Sequence, residues 1–168
     1  NKAVKYEFVK KKESTQKIAL IGALANDNNS PLGNWRTSSD NNTAVTVLEG
    51  MKKYSNNNLI YRKGADVITN YSGVVGFAQK VKINENDKSG FDAARIAAKN
   101  SDVVVMVLGE DGFQSGEGRS RTEIDLPGVQ QELLEEIYKV NKNIVLVLMN
   151  GRPLNIDWAD KNIPSIVE

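Results

Sequence analysis

The chain has 168 residues, 40% of them hydrophobic, and its 22 Lys and Arg against 21 Asp and Glu give a net charge of +1. A charge this close to zero argues against a nucleic-acid partner, which would require a clear basic patch. The sequence has no Cys and no His, which excludes Ser–His–Asp and Cys–His catalysis and zinc sites built from thiolates and imidazoles. Any chemistry therefore depends on carboxyl, amine, guanidinium or hydroxyl groups.

The longest apolar runs are short, and both ends of the chain are polar. No run approaches the roughly 20 residues that cross a bilayer, so the sequence predicts no membrane partner. The first residues, "NKAVKYEFVKKK", lack the apolar stretch of a secretory signal peptide. The chain begins without Met and stops within a strand-like pattern, "IPSIVE". We therefore expect it to be part of a longer protein.

The N-terminal third is predicted to contain an arm, a strand, a loop and a helix. Residues 1–16 are polar and weakly patterned, and we expect a linker or N-terminal arm there. "KIALIG", residues 17–22, is a short apolar run typical of a strand. Residues 25–42 are rich in Asn, Ser, Gly and Pro, which predicts a loop. Thr43 is then the candidate N-cap of a helix over residues 44–54.

In the middle of the chain, segments with a clear hydrophobic pattern alternate with segments that have none. A second strand is predicted over residues 58–64, "NLIYRKG". Residues 65–87 carry no clear period, and "VVGFAQKVKI" within them fits either a strand or irregular cover. "GFDAARIAAKN" predicts a helix, with Ser89 as its candidate cap. The expected buried stripe of that helix consists of Phe91, Ala94, Ile96 and Ala97.

The last third predicts two fully buried strands around another helix. "SDVVVMVLG" and "KNIVLVLMNG" are continuous apolar runs, a pattern typical of parallel strands buried on both faces. Between them, a helix is expected to follow Pro127 and to bury Val129, Leu133, Leu134, Ile137 and Val140. "IPSIVE" is expected to begin one more strand. This alternation predicts one domain, residues 17–168, folded as an α/β three-layer sandwich with a mainly parallel sheet.

The segment between the strand and the helix, "GEDGFQSGEGRSRTEIDLP", is longer than a normal connection. Such connections usually span about 2–6 residues, whereas this one runs from residue 109 to residue 127. It contains five carboxylates, two arginines and four glycines. It leaves the carboxyl end of a predicted parallel strand, where ligands gather in open α/β sheets. The residues therefore indicate a functional loop at this place in the fold.

The residues alone leave four interpretations of this loop open. Its glycines form neither phosphate-binding pattern, and its acidity repels phosphate. Its carboxylates suit an oxygen-ligand cation, although their spacing matches no EF-hand. Glu117 in "SGEG" could act as an acid or base, because flanking glycines allow it to project from the scaffold. The fourth interpretation is a solvated, mobile connection in which Arg119 and Arg121 pair with Glu123 and Asp125.

Four blocks of the sequence carry a resemblance to a known family: "KIALIGALANDNNSPLGNW", "AVTVLEGMKKY", "DVVVMVLGEDGFQSGEGRSRTEIDLPGVQQELLEEIY" and "NIVLVLMNGRPLNIDW". In this order they resemble the second, α/β sandwich domain of family 3 glycoside hydrolases, the β-glucosidase and β-xylosidase group. The similarity extends over residues 17–168. Residues 1–16 do not match the segment that usually precedes the first strand of that domain.

The resemblance implies a divided active site. In the family, an (α/β)8 barrel supplies an Asp nucleophile and the sandwich loop supplies the general acid/base, which corresponds to Glu117 here. Ser115, Gly116 and Gly118 would support it. The implied substrate is a β-linked glycoside or oligosaccharide, hydrolysed with retention and without a metal or organic cofactor. The implied partner is the barrel of the same protein, and export to the periplasm or medium is expected.

Several finer expectations follow from the same resemblance. Glu110 and Asp111 are the alternative acid/base residues, and Glu110, closer to the strand, is expected to fix the loop. Without the barrel, residues 114–121 are expected to be mobile, because few apolar residues anchor them. Trp35 is expected to be partly exposed if it belongs to the interdomain face. The alternative function is a non-catalytic module that binds a sugar or a partner protein.

Overall fold

The structure, a computed structural model, describes residues 15–36, 38–55, 58–69 and 81–168. Five strands form one sheet in the order β2-β1-β3-β4-β5, and all four neighbouring pairs are parallel. The prediction of a mainly parallel sheet is therefore confirmed. The strands are β1 (Ile18–Ile21), β2 (Leu59–Arg62), β3 (Val103–Gly109), β4 (Ile144–Met149) and β5 (Ser165–Val167).

Helices cover both faces of this sheet and complete the three layers. The α-helices are α1 (Val47–Lys52), α2 (Phe91–Lys99), α3 (Gln130–Val140) and α4 (Asp157–Asn162). Buried residues of α2, α3 and α4 share one apolar cluster with the sheet, whereas Leu48 of α1 belongs to the cluster on the opposite face. No helix within the described ranges is both long enough and apolar enough to span a bilayer.

Strand β3 lies at the centre of the sheet, and its side chains divide between the two apolar clusters. All seven of its residues are buried, as its unbroken apolar sequence predicts. Successive side chains of a strand point to opposite faces, so each face receives every second residue. Val104, Met106 and Leu108 belong to the cluster with α2 and α3, and Val103, Val105 and Val107 belong to the other.

Three local predictions were wrong in detail. The first helix begins later than expected, because Thr46 rather than Thr43 forms the N-cap; Thr46 and Glu49 make a reciprocal capping box. Ile96 of α2 is 62% exposed, and Ala98 fills the buried position instead. Ser89 is not the cap of α2, which begins after Gly90 without a side-chain cap.

Other predictions are extended or lie outside the described residues. The expected loop over residues 25–42 contains short 3-10 turns, Ala23–Asn26 and Ser30–Leu32. The expected buried end of α3 is only partly correct, since Val140 is 37% exposed. The N-terminal arm, except its last two residues, and residues 70–80 of the segment without a clear period lie outside the described ranges.

The sheet order brings three chain segments together at one edge. β1 lies between β2 and β3: β2 is added on one side of β1, and β3, β4 and β5 follow in turn on the other side. A crevice forms at the carboxyl ends of strands where such a reversal occurs. Asp27 follows β1, Glu110 follows β3 and Arg152 follows β4. These three residues therefore lie at the same end of the sheet although they are far apart in the sequence.

Candidate active site

The loop between β3 and α3 is closed at its base by one buried side chain. Gln130, the first residue of α3, is 3% exposed. Its Oε1 accepts from the Gly109 N–H at 2.9 Å, and its Nε2 donates to the carbonyls of Gly109 at 2.7 Å and Pro127 at 3.0 Å. These bonds satisfy backbone groups at both ends of the loop, which would otherwise be buried without partners.

Glu110 begins the loop root, which we define as residues 110–114. The Glu110 side chain is 1% exposed. Arg121 Nη1 lies 2.8 Å from its Oε1, and Arg152 Nε lies 3.1 Å from Oε1 and 3.2 Å from Oε2. A buried carboxylate requires such compensation. The expectation that Glu110 fixes the loop is confirmed, since it joins an arginine of the loop to one that follows β4.

The pairing expected for Arg121 was wrong. Its guanidinium pairs with Glu110 and donates from Nη2 to the backbone carbonyl of Asp125 at 3.1 Å. The Asp125 carboxylate instead accepts from Asn155 Nδ2 at 2.7 Å. Sequence proximity favoured the nearby exposed carboxylates, but a buried carboxylate has the greater need for a cation.

Asp111 is the second buried carboxyl of the loop root. Its Oδ1 accepts from the Phe113 N–H at 2.9 Å, and its Oδ2 lies 3.4 Å from Ser30 Oγ. Ser30 Oγ accepts from the Gly112 N–H at 2.9 Å and donates to Asp27. Burial raises the pKa of the Asp111 carboxyl; the Phe113 hydrogen bond opposes this shift and the negative charge of Asp27 adds to it.

The loop apex, residues 115–118, contains the sequence "SGEG". Asn34 Nδ2 donates to the carbonyl of Ser115 at 2.8 Å. Gly116 has a φ of +105°, and a Cβ there would lie 2.2 Å from Asn34 Nδ2, so a larger residue would have to displace this anchor. Glu117 is exposed. The apex therefore presents the Glu117 carboxyl to the outside, while Asn34 attaches the apex to the scaffold through the Ser115 carbonyl.

The anchors of this loop are polar. Gln114 is 4% exposed, and its side chain accepts from the Asp111 N–H at 2.8 Å. Arg152 Nη2 donates to the carbonyls of Gln114 and Arg119, the latter at 2.8 Å. The mobility of residues 114–121 stays a prediction. It was expected because few apolar residues anchor this segment, whereas the hydrogen bonds described here anchor it through polar groups.

No metal cluster accompanies Glu117 in the described part of the chain, and the cavity nearest the loop root does not include it. Among the residues that the structure describes, no group of three Asp, Glu, His or Cys side chains could hold a metal ion. A cavity of about 330 Å³ lies near the carboxyl ends of β1 and β2, with Asp27, Tyr61 and Asp111 in its wall, but Glu117 does not line it.

Sequence comparison assigns this architecture to a known family. Residues 10–168 match the model described as the glycosyl hydrolase family 3 C-terminal domain. The chain belongs to this family. The match covers nearly the whole chain and confirms the resemblance carried by the blocks around "SGEG" and "NGRPL". It also starts seven residues before the similarity expected from the sequence alone.

Several curated relatives of this family 3 C-terminal domain are glycosidases. A beta-xylosidase of Formosa agariphila is 44% identical over 124 residues, which is 74% of this chain and 15% of that protein. A periplasmic beta-glucosidase of Salmonella typhimurium is 38% identical over 158 residues, 90% of this chain and 20% of that protein. The chain thus spans a fifth or less of the length of either relative.

Solved structures show the same fold. The crystal structure of a beta-glucosidase from Listeria innocua matches 91% of this chain with a TM-score of 0.74 and 26% sequence identity, and the match covers 18% of that protein. The agreement includes the three-layer architecture that the alternating strands and helices predict. It concerns the fold of this family 3 domain and not the roles of individual side chains.

Sequence reasoning missed several residues that shape the site of this family 3 domain. Arg152, Asn34, Gln130 and Ser30 all contact the loop from other segments. One signal was available for Arg152, because it follows the apolar run of β4 and therefore lies at the ligand-binding edge. Gln130 was hidden within the apolar pattern of α3, and Asn34 and Ser30 within an Asn- and Ser-rich loop.

Proposed function

We propose that the chain is the acid/base domain of a retaining β-glycosidase of the β-glucosidase type, with Glu117 as general acid and base. The observation that carries the proposal is the exposed carboxyl at the apex of a loop whose root is buried and ion-paired. The names of the relatives, beta-glucosidase and beta-xylosidase, support a β-linked glucoside or related sugar as substrate.

Two steps divide the chemistry between this chain and a second domain. A nucleophilic Asp, on an (α/β)8 barrel elsewhere in the same protein, bonds to the anomeric carbon while the glycosidic C–O bond breaks. Glu117 gives its proton to the departing oxygen. Glu117 then takes a proton from a water molecule, whose oxygen replaces the Asp at the anomeric carbon. Retention of this kind needs the two carboxyl groups about 5–5.5 Å apart, and no metal or organic cofactor.

Glu117 suits this role better than the other two carboxyls of the loop. Glu110 is 3% exposed and Asp111 is 7% exposed, so neither can reach a sugar without rearrangement of the root. Glu110 is also held in place by two arginines. Glu117, in contrast, is exposed at the apex, where a second domain could approach it.

The partner and the compartment belong to the same proposal. The relatives are about five times longer or more than the matched segment, which leaves ample length for a barrel domain, about 250 residues in a typical case. Trp35 is 70% exposed, as expected for a residue that the barrel covers. A relative named a periplasmic beta-glucosidase supports export.

The test uses the protein with all its domains and an aryl β-glucoside as substrate. Glu117→Ala should lower kcat/KM by about 10²–10⁴-fold for a poor leaving group, because no proton reaches the departing oxygen. A dinitrophenyl glucoside should react nearly as fast as with the unaltered enzyme in the first step. Azide should accelerate turnover by replacing water, with a glycosyl azide as product.

Glu123→Ala is the matched control, since Glu123 is another exposed carboxyl of the same loop. It should leave both substrates unaffected. Full activity of the Glu117→Ala enzyme toward poor leaving groups would exclude the acid/base role. The 168-residue chain by itself should not hydrolyse the substrate, and activity of the isolated chain would refute the divided site. An inactive full-length protein that still binds the sugar would favour the binding-module alternative.

A further inference from the structure

Arg152 contacts the loop on both sides of Glu117. It comes from the segment after β4, and its Nη2 donates to the carbonyls of Gln114 and Arg119. Residues 115–118 lie between these two carbonyls. One guanidinium group therefore holds both ends of the short segment that carries Glu117, and it holds them from a different part of the chain.

The position of Arg152 is itself fixed by a buried charge. Its Nε lies 3.1 Å from Oε1 and 3.2 Å from Oε2 of Glu110. The Glu110 side chain is 1% exposed and that of Arg152 is 19% exposed. The Glu110 N–H also donates to the carbonyl of Met149, the last residue of β4, at 2.7 Å. The bonds between Arg152 and Glu110 are charge-assisted and therefore stronger than neutral hydrogen bonds, so the guanidinium has little freedom to move.

We infer that Arg152, held by Glu110, is a positioning residue that sets where the Glu117 carboxyl meets the substrate; this rests on the proposed function. Positioning matters for proton transfer, since a displacement of about 1 Å can reduce the rate on the order of 100-fold. Arg152 acts through the backbone of the loop and does not touch the sugar. Its loss should therefore weaken acid catalysis more than sugar binding.

Arg121 provides a control from the same ion-pair cluster. Its Nη1 lies 2.8 Å from Oε1 of Glu110, and its side chain is 23% exposed. It thus resembles Arg152 in its partner and its burial. Its Nη2 donates to the carbonyl of Asp125 at 3.1 Å, outside the segment that carries Glu117. The two arginines share a carboxylate but only Arg152 brackets the loop apex.

The experiment compares Arg152→Lys, Arg152→Met and Arg121→Lys in the protein with all its domains. Each is assayed on aryl β-glucosides whose leaving groups range from dinitrophenol to phenol. Lysine retains the charge but cannot reproduce the planar guanidinium fork. For Arg152→Lys and Arg152→Met we expect kcat/KM to fall on the order of 100-fold for phenol and little for dinitrophenol. A plot of log kcat/KM against leaving-group pKa should therefore become steeper.

The slope separates positioning from a purely structural role. A loss of folded enzyme lowers kcat/KM equally for all leaving groups and leaves the slope unchanged. An unchanged slope for the Arg152→Lys enzyme would overturn the inference, even if the Tm falls. A slope that steepens as much for Arg121→Lys as for Arg152→Lys would also overturn it, because the effect would then belong to the whole ion-pair cluster. Should Arg152→Met fail to fold, Arg152→Lys decides.

The Glu117→Ala enzyme in the same series distinguishes the two proposals. A slope of log kcat/KM against leaving-group pKa that Glu117→Ala leaves unchanged would refute the acid/base role and the positioning inference with it. A steeper slope for Glu117→Ala together with an unchanged slope for Arg152→Lys would refute the positioning inference alone. Steeper slopes for both, with the smaller change for Arg152→Lys, are the expected outcome.

Discussion

The root and the apex of the β3–α3 loop are adjacent in the sequence and have opposite environments. In the root, Glu110 and Asp111 are buried, and Glu110 is compensated by two arginines. In the apex, Glu117 is exposed between two glycines. A carboxylate that must hold a loop needs burial and fixed cations, whereas one that must reach a substrate needs a free surface. Under the proposed function, the charge-rich sequence therefore serves two separate purposes.

The largest expected difference between root and apex concerns stability. Glu110→Ala leaves two partly buried guanidinium groups without their carboxylate, and breaking such a buried pair typically costs about 3–5 kcal/mol. Glu117→Ala changes an exposed residue and should stay within about 0.5 kcal/mol. Urea unfolding of the chain, followed by circular dichroism, measures both. Equal losses for the two variants would remove the distinction between root and apex.

The next largest effect separates two glycines of the apex. Gly116→Ala places a Cβ 2.2 Å from Asn34 Nδ2, whereas a Cβ at Gly118 meets no atom within 4 Å. Both have positive φ, +105° and +70°, which costs about 1–2 kcal/mol for a residue with a Cβ. Gly116→Ala should lose the Asn34 hydrogen bond as well, about 1 kcal/mol more.

Urea unfolding of these two alanine variants tests that difference. Asn34→Ala serves as a control, since it removes the same hydrogen bond without altering a glycine. If Gly118→Ala were the more destabilising variant, the contact between Asn34 and the apex would not be the anchor described here.

The smallest effect is a pH dependence at the root. Because burial raises the pKa of Asp111 in the folded chain, the folded state keeps this proton more tightly than the unfolded state. Stability is then lost as the pH rises from the usual Asp pKa of about 3.9 through the folded value. Asp111→Asn removes this loss of stability, because the asparagine side chain does not ionise. Its amide carbonyl can still accept from the Phe113 N–H, so the variant should have a higher Tm at neutral pH.

The pH series provides the control for this prediction. Below about pH 3.9 Asp111 is protonated in both states, and the advantage of Asp111→Asn over the parent chain should disappear. A Tm difference for Asp111→Asn that is the same at acidic and neutral pH would contradict the origin proposed for it.

The strands were predictable because local pattern decides them. The unbroken apolar runs that became β3 and β4 predict burial on both faces, and the structure buries all of β3 and four of the six residues of β4. The failures have two different causes. Thr43 and Thr46 are both acceptable cap residues, but only Thr46 has Glu49 at the spacing of a capping box, which is a local signal. Ile96 was expected inward by its apolarity, but the packing of α2 leaves it exposed.

The candidate site was predictable only in its outline. The sequence indicated the loop, its glycines and the exposed reach of Glu117, and the resemblance supplied the role that we propose for it. The fixing role of Glu110 was expected from its nearness to the strand. Its partner Arg152 lies 42 residues away, and no local pattern connects the two.

The sequence by itself determined the order of the strands and of the first three helices, but not α4, together with the buried character of the sheet and the position of one long acidic loop. These follow from periodicity and composition, which act over a few neighbouring residues. Only the tertiary structure decided which carboxylates are buried and which cations compensate them. Burial and charge pairing depend on segments that meet at the edge of the sheet, and the energy of a buried charge depends on all of its neighbours at once.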